Sequence, residues 1–287
     1  MERPPTVAWA QDQGLLRGWG LFETMLAVGS RVPLWVRHWS RLREGARQLS
    51  INLPGEPFLL EALQRALSAV GATRSDSNDA SICHRVRLTI TAGFGSSWMT
   101  PGDAANGVLT VSPWSVPPPL AQQPGLRLLT YPHPFESPAA LRGYKHTSYL
   151  PWLMAARHAK IAGFDDSVLV DTTGHVSETS HRNLFVWRDE ALWTPPRSSG
   201  CLPGVMRGLV LEIAHRLGIP VREQPLPLAD ARTADQILLT SAVTLVQSVG
   251  GWDEQSYATA NWPKPLHDLE QEIHGELQRE SPGSTRK

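Results

Sequence analysis

Gly174-His175-Val176-Ser177-Glu178-Thr179-Ser180-His181-Arg182-Asn183-Leu184-Phe185-Val186-Trp187 places a carboxylate and two imidazoles just ahead of an apolar run. The run from Asn183 to Trp187 predicts a buried strand. A carboxylate entering such a strand is expensive unless a cation or a hydrogen-bond donor meets it, which makes Glu178 a candidate functional group. One alternative is a metal site, because the spacing would put His175, Glu178 and His181 on one face of a helix. Gly174 and the β-rich flank favour extended chain instead, where Glu178 points away from both histidines. Zinc is therefore the less favoured reading.

Strand-like runs recur on both sides of this stretch, at Leu21 to Val28, Val86 to Ala92, Ser167 to Asp171 and Gln236 to Thr240. Helical periodicity appears at Val36 to Leu49, Phe58 to Val70, Ser148 to Ile161 and Val205 to Leu217. In the last of these, Val205, Leu209, Val210, Ile213 and Leu217 share a face, with Pro203 and Gly204 at the entry and Gly218 at the exit. The mixture predicts two domains of α/β (α+β) class. Ser112 to Gly125 is proline-rich and reads as a loosely ordered stretch. It gives a smaller domain over 1–115, a linker over 116–125 and a larger domain over 126–278. The cleft between the domains is the expected ligand site. Thr73 to Ser81 reads as a surface loop, and the tail 279–287 as disordered.

Composition narrows the function. Lys+Arg and Asp+Glu both total 27, so the net charge is zero, which argues against nucleic acid or an anionic membrane as the partner. No run approaches the roughly 18 apolar residues of a membrane span, and Met1 to Gln11 lacks an export signal. Cys83 and Cys201 make neither a disulfide framework nor a metal-ligand spacing. These features predict a cytoplasmic enzyme or binding protein.

Only four of the basic residues are lysines: Lys145, Lys160, Lys264 and Lys287. Lys145 stands out, in Gly143-Tyr144-Lys145-His146-Thr147-Ser148-Tyr149, at a strand-to-helix junction among aromatic residues. Desolvation there can turn an amine into a nucleophile toward carbonyls; the alternative is a snorkelling surface lysine. Leu202-Pro203-Gly204-Val205-Met206-Arg207 opens a helix whose free N–H groups suit an anion, or it is a plain helix entry. Arg41, in His38-Trp39-Ser40-Arg41-Leu42, is a second candidate anion ligand. No dinucleotide fingerprint, Walker loop or serine elbow is present.

Taken together, these pieces resemble the class IV aminotransferase family, the fold type IV enzymes that use pyridoxal phosphate. The resemblance runs from about Gly18 to Val249. It rests on Gly20-Leu21-Phe22-Glu23-Thr24, His38-Trp39-Ser40-Arg41-Leu42, Lys145, Glu178 with Asn183-Leu184-Phe185, Thr194-Pro195-Pro196, Leu202 to Arg207, and Leu239-Thr240-Ser241-Ala242, in the family's order. It implies a two-domain, D-amino-acid-aminotransferase-like fold with pyridoxal 5'-phosphate in the interdomain cleft, and a homodimer. It further implies that Lys145 joins the cofactor covalently and then moves protons, and that Glu178 pairs with the pyridine nitrogen. By the same resemblance Arg41, the N–H groups of Val205 and Met206, and Ser241 and Ala242 hold the phosphate, while Tyr149 approaches the phenolic oxygen.

Within the family, Lys145-His146 and Gly204-Val205-Met206-Arg207 look most like 4-amino-4-deoxychorismate lyase, which makes 4-aminobenzoate and pyruvate for folate synthesis. The alternative is an aminotransferase acting on branched-chain or D-amino acids. The arginine clamp of the D-amino-acid enzymes is missing, since Phe94-Gly95-Ser96-Ser97-Trp98 stands there. Arg17-Gly18-Trp19-Gly20 departs from the family's usual tyrosine and aspartate, which leaves the substrate-carboxylate contacts unassigned. A non-catalytic binding protein and a His175/His181 metal enzyme are the readings outside this chemistry.

Overall fold

A computed structural model of the chain describes residues 10–71, 83–97, 99–136 and 141–279. The described residues fall into two compact units. One holds 10–115 together with Tyr144–Tyr149, and the other holds Val116–Gly143 with Leu150–Arg279. The expected loop at Thr73 to Ser81 lies outside the described residues, as does the tail beyond Arg279.

In the first unit, β1 (Gly20–Val28), β2 (Cys83–Thr91) and β3 (Asn106–Trp114) form an antiparallel sheet in that order. β2 alternates strictly, with Val86, Leu88 and Ile90 buried and Arg85 and Arg87 turned out, the pattern of a half-buried strand. Two helices, α2 (Trp35–Gln48) and α3 (Glu56–Ala69), supply Trp35, Leu42, Ala46, Leu59, Leu63 and Leu67 to the same core. A short α1 (Gln13–Arg17) precedes β1. α2 comes close to β1 because position 45 is glycine: a Cβ there would sit 3.0 Å from the Leu21 methyls.

The second unit is built on a ten-stranded sheet. Its strands are β4 (Leu126–Thr130), β5 (Asp166–Val170), β6 (His175–Thr179), β7 (Asn183–Arg188), β8 (Ala191–Thr194), β9 (Val221–Glu223), β10 (Leu226–Pro227), β11 (Gln236–Ser241), β12 (Leu245–Trp252) and β13 (Gln255–Ser256). The order is β10-β6-β5-β4-β12-β11-β7-β8-β9, with β13 on β12. β4 is parallel to both its neighbours, and most other pairs are antiparallel. α4 (Leu150–Ile161) packs on β5, and α5 (Val205–Arg216) packs on β11 and on α7 (Lys264–Arg279). A short α6 (Leu228–Arg232) follows β10. The expected elements are all present with small shifts at their ends, and the chain is mixed α/β.

The proline-rich stretch differs from the sequence expectation. Ser112 to Trp114 complete β3, and Leu120–Gln122 form a 3₁₀ turn. Leu120 is buried and its N–H donates to Glu270 Oε1 at 2.8 Å. Gln123 donates to the Pro118 and Val246 carbonyls and accepts from the Ser248 N–H. Buried polar partners far along the chain fix this segment, and a composition-based reading has no access to them.

Candidate active site

Lys145 is positioned by backbone pairing. The segment 144–149 lies along β1: the Phe22 N–H donates to the Lys145 carbonyl and the Thr147 N–H to the Gly20 carbonyl, both at 2.9 Å. That pairing places 144–149 in the first unit although it follows β4 in sequence. The Lys145 ammonium sits 4.5 Å from the centre of the Phe22 ring and 5.7 Å from that of Tyr149. The two rings meet edge to face at 5.3 Å. His146 is buried beside this group, and its pKa is pushed below the ordinary imidazole value by burial and then by the Lys145 charge.

A second cation shares the Phe22 ring: the Arg87 guanidinium stands 3.8 Å from its centre. Arg87 reaches it from the outward face of β2, where its Nε donates to Thr89 Oγ1. Its pKa is lowered by desolvation first, partly offset by Tyr149, with Arg85 adding to the lowering. The ring contact belongs to tertiary structure, and in the sequence only the alternation of Arg85 and Arg87 marks this residue.

Beneath β1 lies a buried polar triad. His38 Nδ1 is 2.6 Å from Glu23 Oε2, and Arg41 donates from Nε to Oε1 at 2.8 Å and from Nη2 to Oε2 at 2.6 Å. Burial by itself would raise the Glu23 pKa, but Arg41 and His38 outweigh it and bring it down to about 2. His38 is held below its usual value, by burial before all else and against the pull of Glu23. The arrangement is an ionised Glu23 between a neutral imidazole and a guanidinium. Arg41, expected at the phosphate, is thus tethered to Glu23 by two of its nitrogens.

In the second unit Glu178 is buried on β6 and accepts three N–H groups. The Leu202 backbone N–H donates to Oε2 at 2.9 Å, Asn183 Nδ2 to Oε2 at 3.3 Å, and Trp152 Nε1 to Oε1 at 3.3 Å. Asn183 Nδ2 also donates to the Leu202 carbonyl at 2.8 Å, which ties the carboxylate to the turn that opens α5. Gly204 caps that helix without a side-chain hydrogen bond, and no acid lies in the first turn. Val205 and Met206 are buried there. Arg207 turns away to the Pro195 carbonyl and Glu223, where it anchors the helix. At the β11–β12 turn, Ser241 Oγ meets Thr244 Oγ1 at 2.7 Å and accepts the Thr244 N–H.

The expected site residues therefore fall into two groups. Lys145, Tyr149 and Arg41 belong to the first unit; Glu178, Val205, Met206, Ser241 and Ala242 belong to the second. His175 and His181 stay apart from Glu178: His175 Nδ1 meets Thr173 Oγ1, and His181 Nδ1 meets Ser180 Oγ. Among the described residues no group of three metal-ligating side chains comes together.

These features agree with what the chain is similar to. The family model described as amino-transferase class IV matches residues 20–252, and the chain belongs to that family. A protein of Methanocaldococcus jannaschii, provisionally named a branched-chain-amino-acid aminotransferase, is 31% identical over 83% of this chain and 80% of its own length. The aminodeoxychorismate lyase of Vibrio harveyi is 26% identical over 86% of this chain and 88% of its own. A solved structure provisionally named 4-amino-4-deoxychorismate lyase, from Legionella pneumophila, superposes with a TM-score of 0.82 at 24% identity, covering 93% and 94% of the two chains. At that identity the likeness concerns the fold. The protein is accordingly a class IV pyridoxal-phosphate enzyme, a lyase or an aminotransferase, acting on an amino-acid-like small molecule.

The residues present fit the cofactor. A helix start with no side-chain cap and no acid in its first turn suits a phosphate, and the Lys145 amine stands among aromatic rings. A buried carboxylate held by N–H donors suits a protonated pyridine nitrogen. Thr240 pairs with Asn183 across the β11–β7 ladder and so shares its face of the sheet, and its buried hydroxyl has no hydrogen-bond partner among the described residues. No helix among the described residues is long and apolar enough to cross a membrane.

Proposed function

We propose that the protein is a 4-amino-4-deoxychorismate lyase that releases 4-aminobenzoate and pyruvate, and that it works as a cytoplasmic homodimer. The observation that carries this reading is the pair of cations on the Phe22 ring, Lys145 at 4.5 Å and Arg87 at 3.8 Å. A nucleophilic amine beside a fixed guanidinium is what an amine-bearing dicarboxylate requires. Lys145-His146 and Gly204-Val205-Met206-Arg207, together with the Vibrio harveyi relative, support the same substrate.

When bound, pyridoxal phosphate supplies an aldehyde for the substrate amine and a ring that accepts electrons. Glu178, fixed by Leu202, Asn183 and Trp152, would keep a proton on the ring nitrogen. Arg41, the N–H groups of Val205 and Met206, and Ser241 and Ala242 would bind the phosphate. Tyr149 would approach the phenolic oxygen. Lys145 Nζ would take the proton from the amine-bearing carbon. The C–O bond to the enolpyruvyl group would then break as the substrate's own ring aromatises. The departing enolpyruvate would take up a proton, which Lys145 holds, to become pyruvate. Arg87 holds a substrate carboxylate. Its planar fork suits two-point recognition.

Amino transfer is the second reading, favoured by the 31% identity to the Methanocaldococcus jannaschii relative. One experiment separates the two. Pure protein saturated with pyridoxal phosphate is given 4-amino-4-deoxychorismate and, separately, branched-chain or D-amino acids with 2-oxoglutarate. The lyase reading expects 4-aminobenzoate and pyruvate in equal amounts. Fast glutamate formation without 4-aminobenzoate overturns it.

A further inference from the structure

We infer that Trp152 is a positioning residue, whose indole N–H fixes the plane of the Glu178 carboxylate. The inference rests on the reading of Glu178 as partner of the cofactor's ring nitrogen, and adds a residue that the family resemblance leaves unassigned. Two donors, the Leu202 N–H and Asn183 Nδ2, meet Oε2, whereas the Trp152 indole meets Oε1. The terminal torsion of a glutamate is broad and weakly preferred. Donors at one oxygen alone leave the group free to turn about that point, and a donor at each oxygen sets its orientation.

Trp152 is itself held rigidly. It lies in the first turn of α4 and is 7% exposed. Its ring packs edge to face on Phe135 with centres 4.9 Å apart. The Phe135 N–H donates to the Val170 carbonyl, and Ser167 Oγ on β5 donates to the Ala155 carbonyl of α4, so ring and helix are both tied to the strand that pairs with β6. Indole nitrogen is a donor only. In this buried place its N–H serves the carboxylate, and a tryptophan does so with two torsions already fixed by packing.

The test compares Trp152→Phe, which keeps an aromatic ring without the donor, with Trp152→His, which restores an N–H. Each is saturated with pyridoxal phosphate, and the visible absorption of the bound cofactor is followed against pH alongside steady-state kinetics. Loss of a hydrogen bond to a charged group lowers kcat by about tenfold or more, with KM changed by less than about twofold. The pH midpoint of the absorption moves in Trp152→Phe and returns toward the parent in Trp152→His. An unmoved midpoint in Trp152→Phe overturns the inference, as does a loss of kcat that the histidine does not recover. Glu178→Gln is run in parallel: if it shifts the midpoint and Trp152→Phe does not, only the role of Trp152 fails. If Glu178→Gln also leaves the midpoint in place, the ring-nitrogen reading fails and takes this inference with it. Should Trp152→Phe not fold, the indole N–H spectrum of the nitrogen-15-labelled parent decides. A resonance that shifts in Glu178→Gln supports the contact, and no shift among the indoles overturns it.

Discussion

Glu23 and His38 form a buried acid–imidazole pair, Nδ1 to Oε2 at 2.6 Å, and the same carboxylate holds Arg41 through both oxygens. Arg41 is thereby oriented by an acid on β1, one residue from Phe22, whose ring receives Lys145. The strand's alternation sends Phe22 and Glu23 to opposite faces, so one dipeptide serves the amine on one side and the guanidinium on the other.

This pair predicts instability in acid. Both groups have folded pKa values below their ordinary ones, so the unfolded chain binds more protons as pH falls and stability is lost in that direction. His38 contributes from about pH 6.5 downward, together with His146, which is shifted the same way. Glu23 adds a second limb between its ordinary value of 4.5 and about 2, worth roughly 3 kcal/mol in full. Thermal melts from pH 8 to 3 should show both limbs. His38→Gln should make the first shallower, and should shrink the second as well, because His38 helps Arg41 hold the Glu23 pKa down. A first limb that His38→Gln leaves unchanged would show that His38 is not held neutral.

Gly204→Ala tests the link between the carboxylate and the α5 turn. The backbone there, with φ of −62°, accepts alanine, so the effect is steric: the new Cβ would lie 2.0 Å from Asn183 Oδ1. Asn183 must shift, which loosens its bonds to Glu178 and the Leu202 carbonyl. The expected loss is about 1–3 kcal/mol of stability, with weaker binding of pyridoxal phosphate. Melting and cofactor titration read the two effects.

The sequence made the second unit's half of this arrangement legible because its signals are local. An acid ahead of an apolar strand and a glycine at a helix entry need only neighbouring residues to be noticed. Arg41 was visible as a candidate, but its tether to Glu23 crosses from α2 to β1. Arg87 and Trp152 escaped for the same reason: their partners, Phe22 and Glu178, lie far along the chain and meet them only after folding. The proline-rich stretch misled in the opposite sense, since Gln123 and Glu270 order a segment whose composition suggests none.

Lys145→Ala should abolish covalent capture of pyridoxal phosphate. Borohydride reduction of the saturated parent followed by peptide mapping should find the adduct on the peptide containing Lys145, and the variant should show none. Turnover should fall by about a thousandfold or more, roughly 4 kcal/mol of barrier. An adduct on another lysine would move the catalytic role elsewhere.

Arg87 gives the sharpest division between recognition and chemistry. Its guanidinium is fixed over Phe22 but makes no contact with the protons being moved, so Arg87→Met should raise KM for a dicarboxylate substrate by about tenfold to a hundredfold, as expected for a lost hydrogen bond to a charged group. kcat should change far less, because Lys145 and Glu178 are untouched. Arg87→Lys should recover part of the binding, since it restores the charge without the planar fork. The same variants report on the reaction itself. For a lyase, the KM defect falls on 4-amino-4-deoxychorismate. For an aminotransferase, it falls on 2-oxoglutarate and spares a monocarboxylate such as leucine. Equal KM values in parent and Arg87→Met for every substrate would remove Arg87 from the site and leave the substrate carboxylate to another group.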